Sequence, residues 1–206
     1  MKTSYQVPKQ TVRIEYQVSN SRFYATIGRA DSVEEAKSFI QSIRQEMPDA
    51  THHVYAYVIG HGSSVIEGMS DDGEPSGTAG PPTLAVLRGS GLGNIVLVTT
   101  RYFGGTKLGT GGLVHAYGQA AKEALLALPV ETLIVRTLAG VDIPYSLYER
   151  VKLLLHEFDA EIDEEIFAAD VTIVFRIPSD NTESFSERLR DLSSGQVHIT
   201  ILEENV

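Results

Sequence analysis

The sequence predicts a two-domain protein of the mixed α/β (α+β) class, and three observations support this prediction. First, its 206 residues are 42% hydrophobic and 21% charged, a globular composition in a chain long enough for one large domain or two small ones. Second, predicted strands and helices are interspersed along the whole chain. Third, residues 135–206 have the element order β-α-β-β-α-β, which is the ferredoxin-like, split βαβ motif.

The first predicted domain, residues 1–134, begins with two strands, a helix and a third strand: Thr11–Val18, Phe23–Ile27, Ser32–Met47 and His53–Ile59. The first two strands are joined by the turn-forming segment Ser19–Ser21. Ser32 and Glu35 have the spacing of a capping box at the start of the helix, and Pro48 ends it.

Glycine is concentrated in the second half of this domain, where 15 of the 18 glycines lie between Gly60 and Gly118. Glycines interrupt long helices and are needed where the backbone has positive φ or approaches another segment closely. After a long Gly/Ser/Asp loop, the predicted elements are a short helix opened by proline, a buried strand, a glycine loop and a helix: Pro82–Leu87, Asn94–Phe103, Gly104–Gly112 and Leu113–Leu128.

The second predicted domain, residues 135–206, follows a boundary near Glu131 to Val135. Its elements are a strand, a helix, two strands, a helix and a strand: Leu138–Tyr145, a helix from Ser146, Glu161–Phe167, Val171–Ile177, Thr182–Leu192 and Gln196–Leu202. Ser146 and Glu149 have capping-box spacing, which predicts the start of the first helix.

Charge is also divided unevenly along the chain. The net charge is -10, and the whole excess of acidic residues lies in 131–206, which hold 6 basic and 16 acidic side chains, whereas 1–130 hold 11 of each. Within the neutral part, the segment 75–122 has no acidic residue and contains Arg88, Arg101, Lys107 and Lys122. The sequence therefore predicts a locally positive stretch in an acidic protein.

Several classes of protein are excluded by composition. The chain has no cysteine, which excludes disulfides, thiolate nucleophiles, iron–sulfur clusters and cysteine zinc sites. No helical pair of histidines has the spacing of a zinc hydrolase, and no serine lies in a Gly-x-Ser-x-Gly turn. No apolar run approaches the roughly 18 to 20 residues of a membrane span. Because the start lacks the apolar core of a signal peptide, the sequence predicts a cytoplasmic protein with no membrane partner.

Three carboxylates, Asp71, Asp72 and Glu74, precede a run of small residues that leads into a predicted helix. These side chains could hold a divalent cation or act as general acid and base, since hard cations require several oxygen ligands. Alternatively, the segment is a turn whose carboxylates cap backbone N–H groups.

The glycine loop that follows the strand at Asn94–Phe103 has the context of an anion site. Backbone N–H groups at a helix N-terminus and nearby basic side chains favour phosphate, and adjacent aromatic rings can stack on bases. The loop is neither a Walker A sequence nor a dinucleotide fingerprint, and its glycines could instead serve close packing of helix on sheet. The candidate RNA- or anion-binding residues are Arg88, Arg101, Tyr102, Gly104, Gly105, Lys107, Gly109 and Gly111, with Phe103 as a second stacking ring.

The segments Ser21–Phe23, Ser70–Pro75 and Gly89–Gly109 together resemble the signature of the IMPACT family and its bacterial, YigZ-like members. The resemblance implies an N-terminal domain of the ribosomal protein S5 domain 2-like type and a C-terminal ferredoxin-like domain. This pair is similar to the last two domains of the elongation factor that drives ribosomal translocation. Eukaryotic members regulate translation, and for bacterial members the resemblance implies binding to nucleic acid or the ribosome. It implies no catalytic residues and no cofactor.

Three hypotheses follow. The first is a cytoplasmic, non-enzymatic, translation-associated protein that contacts RNA, the ribosome or a translation-factor partner through the glycine-rich positive face. The second is an enzyme acting on a phosphorylated small molecule or nucleotide, with the glycine loop holding phosphate and the Asp71, Asp72 and Glu74 loop as metal or acid/base site. The third is a protein–protein adaptor that uses an exposed β-edge of the C-terminal domain. The sequence makes no prediction of oligomeric state.

Overall fold

The computed structural model describes residues 4–62 and 64–204, and this part of the chain contains eleven strands and five α-helices. In chain order they are β1 (Ser4–Pro8), β2 (Val12–Val18), β3 (Ser21–Arg29), α1 (Val33–Glu46), β4 (His52–His61), β5 (Ser64–Ser70), α2 (Gly80–Ser90), β6 (Ile95–Tyr102), α3 (Gly109–Ala127), β7 (Val130–Ile134), β8 (Arg136–Ile143), α4 (Tyr148–Glu157), β9 (Glu161–Phe167), β10 (Val171–Pro178), α5 (Thr182–Leu192) and β11 (Thr200–Glu203). They form two compact units, residues 5–133 and residues 134–204, the latter together with Ser4. The predicted mixed α/β class is confirmed.

The N-terminal unit is built on a five-stranded antiparallel sheet in the order β2-β3-β6-β4-β5. Helix α1 packs on one face, and α2 and α3 pack on the other. The central strand β6 is therefore buried on both sides, which explains its almost uninterrupted apolar and β-branched sequence. Because side chains alternate along a strand, Leu97 and Arg101 face α2 and α3, whereas Val98 and Tyr102 face α1.

The turn and the first helix follow the sequence prediction closely. Ser19 and Asn20 have positive φ, as the tight turn between β2 and β3 requires. The Ser32 side chain accepts the Glu35 N–H, which confirms the predicted cap of α1. The Glu35 carboxylate reaches back one residue further than a standard capping box, because it accepts the N–H of Asp31.

Three strands of the structure were not predicted, and the glycine loop is shorter than expected. β1 and β7 form a separate two-stranded sheet, and β5 lies in the segment that its Ser and Gly content indicated to be loop. Helix α3 begins at Gly109 rather than Leu113. Its buried stripe, which includes Leu113 and Tyr117, packs on the sheet and allows the helix to extend one turn into glycines of low helix propensity.

The C-terminal unit has a four-stranded antiparallel sheet in the order β11-β8-β10-β9, with α4 and α5 packed together against one face. β10 lies between β8 and β9, which is the predicted split βαβ arrangement. The capping box predicted at Ser146 is wrong, because the chain forms a 3₁₀ turn at Tyr145–Leu147 and α4 begins at Tyr148 without a side-chain cap. The last strand is shorter than predicted and starts at Thr200.

Candidate functional site

Arg101 lies near the end of β6 with its side chain between the sheet and the helices α2 and α3. Its Nη1 donates to Oε1 of Glu74 at 2.6 Å, and its guanidinium carbon lies 5.4 Å and 5.5 Å from the ring centres of Phe23 and Phe103. The residue is only 5% exposed. The expectation that Arg101 presents a free cation to an anion at the surface is therefore wrong, because its guanidinium is buried and neutralised by a carboxylate.

Glu74 is the centre of this buried polar cluster. The hydroxyl of Tyr117, on α3, donates to Oε1 of Glu74 at 2.7 Å, and Nε2 of His52 lies 3.9 Å from Oε2. Burial and the adjacent Glu74 carboxylate raise the pKa of Tyr117 far above its ordinary value. We call the segment that carries Asp71, Asp72 and Glu74 the carboxylate loop. Glu74 connects this loop to β6, which precedes the glycine loop, and to α3, which follows it.

Asp71 caps helix α2. Its carboxylate accepts the backbone N–H groups of Gly77, Ala79 and Gly80 at 2.8 to 2.9 Å. Burial alone would raise the pKa of this carboxyl, but the three backbone hydrogen bonds outweigh it and the pKa is lowered. Helix α2 begins at Gly80, and its N-cap residue, Ala79, makes no side-chain hydrogen bond. Asp71 therefore supplies the cap from outside the helix.

Asp72 joins α1 to the start of β4. Its Oδ1 accepts from Nη2 of Arg44 at 2.5 Å, and its Oδ2 accepts the backbone N–H of His53 at 2.6 Å. His53 is buried, its Nδ1 lies 3.1 Å from the hydroxyl of Thr100, and burial lowers its pKa.

The predicted metal or acid/base role of Asp71, Asp72 and Glu74 finds no support in this geometry, since the three carboxylates bind three different sets of protein donors. Within residues 4–62 and 64–204, no cluster of three or more His, Asp or Glu side chains has the arrangement of a metal site. Two open depressions, of about 460 and 220 Å³, are lined by residues of the C-terminal unit and include no predicted site residue. None of the described helices is both long and apolar enough to cross a membrane.

Neither Arg88 nor Tyr102 lies next to the Arg101 guanidinium. Arg88 is exposed on the last turn of α2 and pairs with Glu67 of β5, its Nε lying 2.8 Å from Oε1. Glu67 is opposite Val58 in the sheet and Arg101 is opposite His52. His52 and Val58 are six residues apart along β4, which corresponds to about 20 Å. Tyr102 faces α1, where its hydroxyl donates to Asp49 and its ring lies 5.6 Å from the guanidinium carbon of Arg22. The predicted continuous positive face is therefore divided.

The glycine loop itself is held close to the β2–β3 turn. A Cβ on Gly104 would lie 2.1 Å from the carbonyl carbon of Asn20, and the Gly104 N–H donates to the hydroxyl of Ser21 at 3.2 Å. Close packing therefore requires glycine at position 104. This is the alternative to ligand binding that the sequence left open for the glycines of this loop. Gly105 has φ +84°, a conformation that strongly favours glycine.

The remaining predicted residues form an exposed surface at this end of the sheet. Phe103 is 47% exposed, Lys107 is exposed, and Gly109 and Gly111 lie exposed in the first turn of α3, whose N-cap residue supplies no side-chain hydrogen bond. Arg22, which the sequence did not single out, is exposed at the neighbouring end of β3, where its guanidinium lies over Tyr102 on the side of the sheet that carries α1; its place in the family signature was the available signal. We call Arg22, Phe103, Gly105, Lys107, Gly109 and Gly111 the glycine-loop surface.

Comparison with known proteins covers nearly the whole chain. The Impact N-terminal domain matches residues 19–125, and a domain of unknown function, DUF1949, matches residues 141–196. The chain is 40% identical to an IMPACT family member of Haemophilus influenzae over 97% of each chain. It is 39% identical to the IMPACT family member YigZ of Escherichia coli over 98% of this chain and 99% of that protein.

The similarity extends to a third relative and to a solved structure. The IMPACT family member YvyE of Bacillus subtilis is 35% identical over 95% of this chain and 90% of its own length. A crystal structure of a hypothetical protein, 38% identical, matches all of both chains with a TM-score of 0.75. The two-domain architecture and the sequence matches agree, and the chain belongs to the IMPACT family.

Proposed function

We propose that this protein is a cytoplasmic, translation-associated binding protein that contacts RNA through the glycine-loop surface. One observation carries the proposal: an exposed aromatic ring, Phe103, and an exposed cation, Lys107, lie in the loop that leads into the N-terminus of α3, and a second exposed cation, Arg22, lies on β3 opposite Tyr102 at the end of β6. Aromatic rings stack on bases irrespective of sequence, and basic side chains and helix N-termini bind phosphate.

The carboxylates of the loop before α2 do not oppose the binding of an anion. Asp71, Asp72 and Glu74 are each engaged by protein donors, and Glu74 is buried. The segment 75–122 contributes basic but no acidic residues. A phosphate approaching the glycine-loop surface would therefore meet cations and the N-terminus of α3, while the acidic excess of the chain lies in residues 131–206.

Gly105, Gly109 and Gly111 support the same function in another way. No atom lies within 4 Å of a Cβ built at any of the three, so packing does not explain them. Gly105 and Gly109 have positive φ, a conformation that favours glycine. Gly111 is helical, so neither close packing nor a positive φ requires glycine at this position. A glycine in the first turn of a helix leaves its N–H groups open to a ligand as large as a phosphate.

Membership of the IMPACT family supports a role connected with translation, and it leaves the partner open. RNA is the partner that the glycine-loop surface favours, because residues suited to stacking and to phosphate contacts lie at the same end of the sheet. A translation factor that binds the same surface without RNA is the competing outcome of the experiment.

The experiment is a titration of structured RNA against the full chain at several salt concentrations. The double variant Arg22→Ala, Lys107→Ala should weaken binding and reduce the slope of log affinity against log salt by about 2, one for each lost phosphate contact. Phe103→Ala should weaken binding without changing that slope. The matched control removes two exposed arginines of α5, Arg188→Ala and Arg190→Ala, and should leave both quantities unchanged. An affinity that is absent, or that does not depend on salt, would refute the proposal.

A further inference from the structure

The outer edges of the two larger sheets differ in how they are protected from pairing with other strands. β2 carries Arg13 and Glu15, β11 has only four residues, and β9 carries four carboxylates in seven residues. Charge and short length are devices by which natural proteins prevent edge strands from associating. In the described part of the chain, β5 has neither: its one charged residue is Glu67, and the remainder of Ser64–Ser70 is apolar or uncharged.

The apolar side chains of β5 are exposed to solvent. Val65 is 40% exposed, Ile66 58% and Met69 46%. Ile66 lies opposite Ile59 of β4 on the face of the sheet that carries α1, and Val65 and Met69 lie on the face that carries α2. An unpaired backbone edge with apolar side chains on both faces is the surface that β-strand addition uses.

We infer that β5 pairs with β5 of a second copy of this chain, in antiparallel orientation about a two-fold axis at Glu67. In this register, Val65 of one copy lies opposite Met69 of the other, and both are apolar. Ile66 lies opposite Gly68, so the large side chain meets a position that has none. The strand is therefore complementary to itself residue by residue, as an isologous interface requires.

Tyr57 provides the surface on which the second copy's Ile66 would pack. The Tyr57 ring covers Gly68 of the same chain, since a Cβ at Gly68 would lie 2.2 Å from Cζ of Tyr57. The Tyr57 ring lies parallel to that of Tyr55, at 6.4 Å between centres. An aliphatic side chain inserted above Gly68 thus contacts an aromatic ring already held in place, a favourable cross-strand pair.

Charge is balanced at the centre of the proposed interface. Two Glu67 side chains directly opposite each other would repel, but each is held by Arg88, whose Nε lies 2.8 Å from Oε1 and which is itself exposed. The two pairs sum to zero charge. The neutral charge at the centre and the apolar residues on both sides of Glu67 favour a second copy of this strand over a strongly acidic or strongly basic partner.

The first experiment measures oligomeric state by sedimentation from low micromolar to several hundred micromolar protein. The wild-type chain should associate to about twice its monomer mass of 22.5 kDa. Ile66→Lys should weaken the dimer at least tenfold, and Met69→Lys should do the same from the other face of the strand. The control Leu126→Lys places the same charge at a leucine that is 86% exposed on α3, and should leave the dimer intact. A wild-type chain that remains monomeric, or a dimer insensitive to both β5 variants, would overturn the inference.

A second experiment tests the register and uses the absence of native cysteine. Val65→Cys and Met69→Cys, mixed and oxidised, should form a disulfide-linked heterodimer, because directly opposite residues have Cα atoms about 4.5 to 5.5 Å apart. Neither variant alone should cross-link, because like positions would lie about 13 Å apart, four residues along the strand. Cross-linking of either variant with itself, or none in the mixture, would contradict this register.

Discussion

The guanidinium of Arg101 and the carboxylate of Glu74 form an ion pair of 2.6 Å in which the side chains are only 6% and 4% exposed. The pair joins the end of β6 to a loop 27 positions earlier in the chain, and Tyr117 extends the contact to α3. The sequence predicted Arg101 as an anion-binding residue and Glu74 as a metal or acid/base residue, and in the structure the two bind each other. Their role in this geometry is to hold the carboxylate loop and the glycine loop in fixed relation.

Removing the carboxylate of this pair should strongly destabilise the protein. Glu74→Ala leaves a buried, unpaired guanidinium, and the free energy of unfolding should fall by about 3 to 5 kcal/mol. Urea denaturation at neutral pH measures the change. The control Glu46→Ala breaks the Arg13 pair, whose side chains are 30% and 53% exposed, and should cost less than about 1 kcal/mol. Equal effects of the two variants would mean that the buried pair has no special role.

Tyr117 should make the protein sensitive to alkaline pH. The ordinary pKa of tyrosine is 10.0, and burial and Glu74 raise the pKa of Tyr117 in the folded state. Above pH 10 the unfolded state therefore loses this proton while the folded state keeps it, and stability falls by about 1.4 kcal/mol per pH unit from this group. In Tyr117→Phe, unfolding measured across this range should show a shallower decline. A decline equal to that of the wild-type chain would contradict the assignment.

Asp71→Asn should weaken the N-terminus of α2. The carboxylate accepts three backbone N–H groups, and its loss should cost about 1 to 2 kcal/mol at neutral pH. Because the pKa of Asp71 is lowered in the folded state, its contribution is present above the ordinary range of aspartate and is lost as pH falls through the folded pKa. Denaturation of both proteins at neutral and at strongly acidic pH should show a difference that disappears in acid; a constant difference would indicate a role independent of charge.

The glycines of the loop and of α3 should separate into three classes. Gly118→Ala, in the middle of α3, meets no neighbouring atom and should stabilise the protein by about 0.5 to 1 kcal/mol without changing RNA affinity. Gly111→Ala should also be tolerated but should weaken RNA binding. Gly104→Ala should destabilise by about 2 kcal/mol or more, because its Cβ would overlap the backbone of Asn20. Thermal unfolding and RNA titration together distinguish the three, and unchanged RNA binding by Gly111→Ala would count against the proposed surface.

Local patterns in the sequence were sufficient for most of the architecture. Hydrophobic periodicity, the Ser32 cap and the turn at Ser19 and Asn20 depend on neighbours within a few residues, and the structure has them as expected. The order of elements in residues 135–206 likewise determined the ferredoxin-like fold. Strand β5 was missed because its Ser and Gly content is that of a loop, and only pairing with β4 makes it a strand.

The candidate site was different, because burial and pairing are properties of the folded chain. The sequence determined that Arg101, Lys107 and three carboxylates lie near glycines, and it determined the family. Only the tertiary structure decided that Arg101 faces inward to Glu74 while Lys107 and Phe103 face solvent, since the fold brings the buried carboxylate of Glu74 to Arg101, whereas Phe103 and Lys107 lie in the exposed loop after β6. A charged side chain can bind a ligand only where the fold leaves it exposed and without a protein partner. The local sequence around Arg101 does not show that the fold brings Glu74 to it.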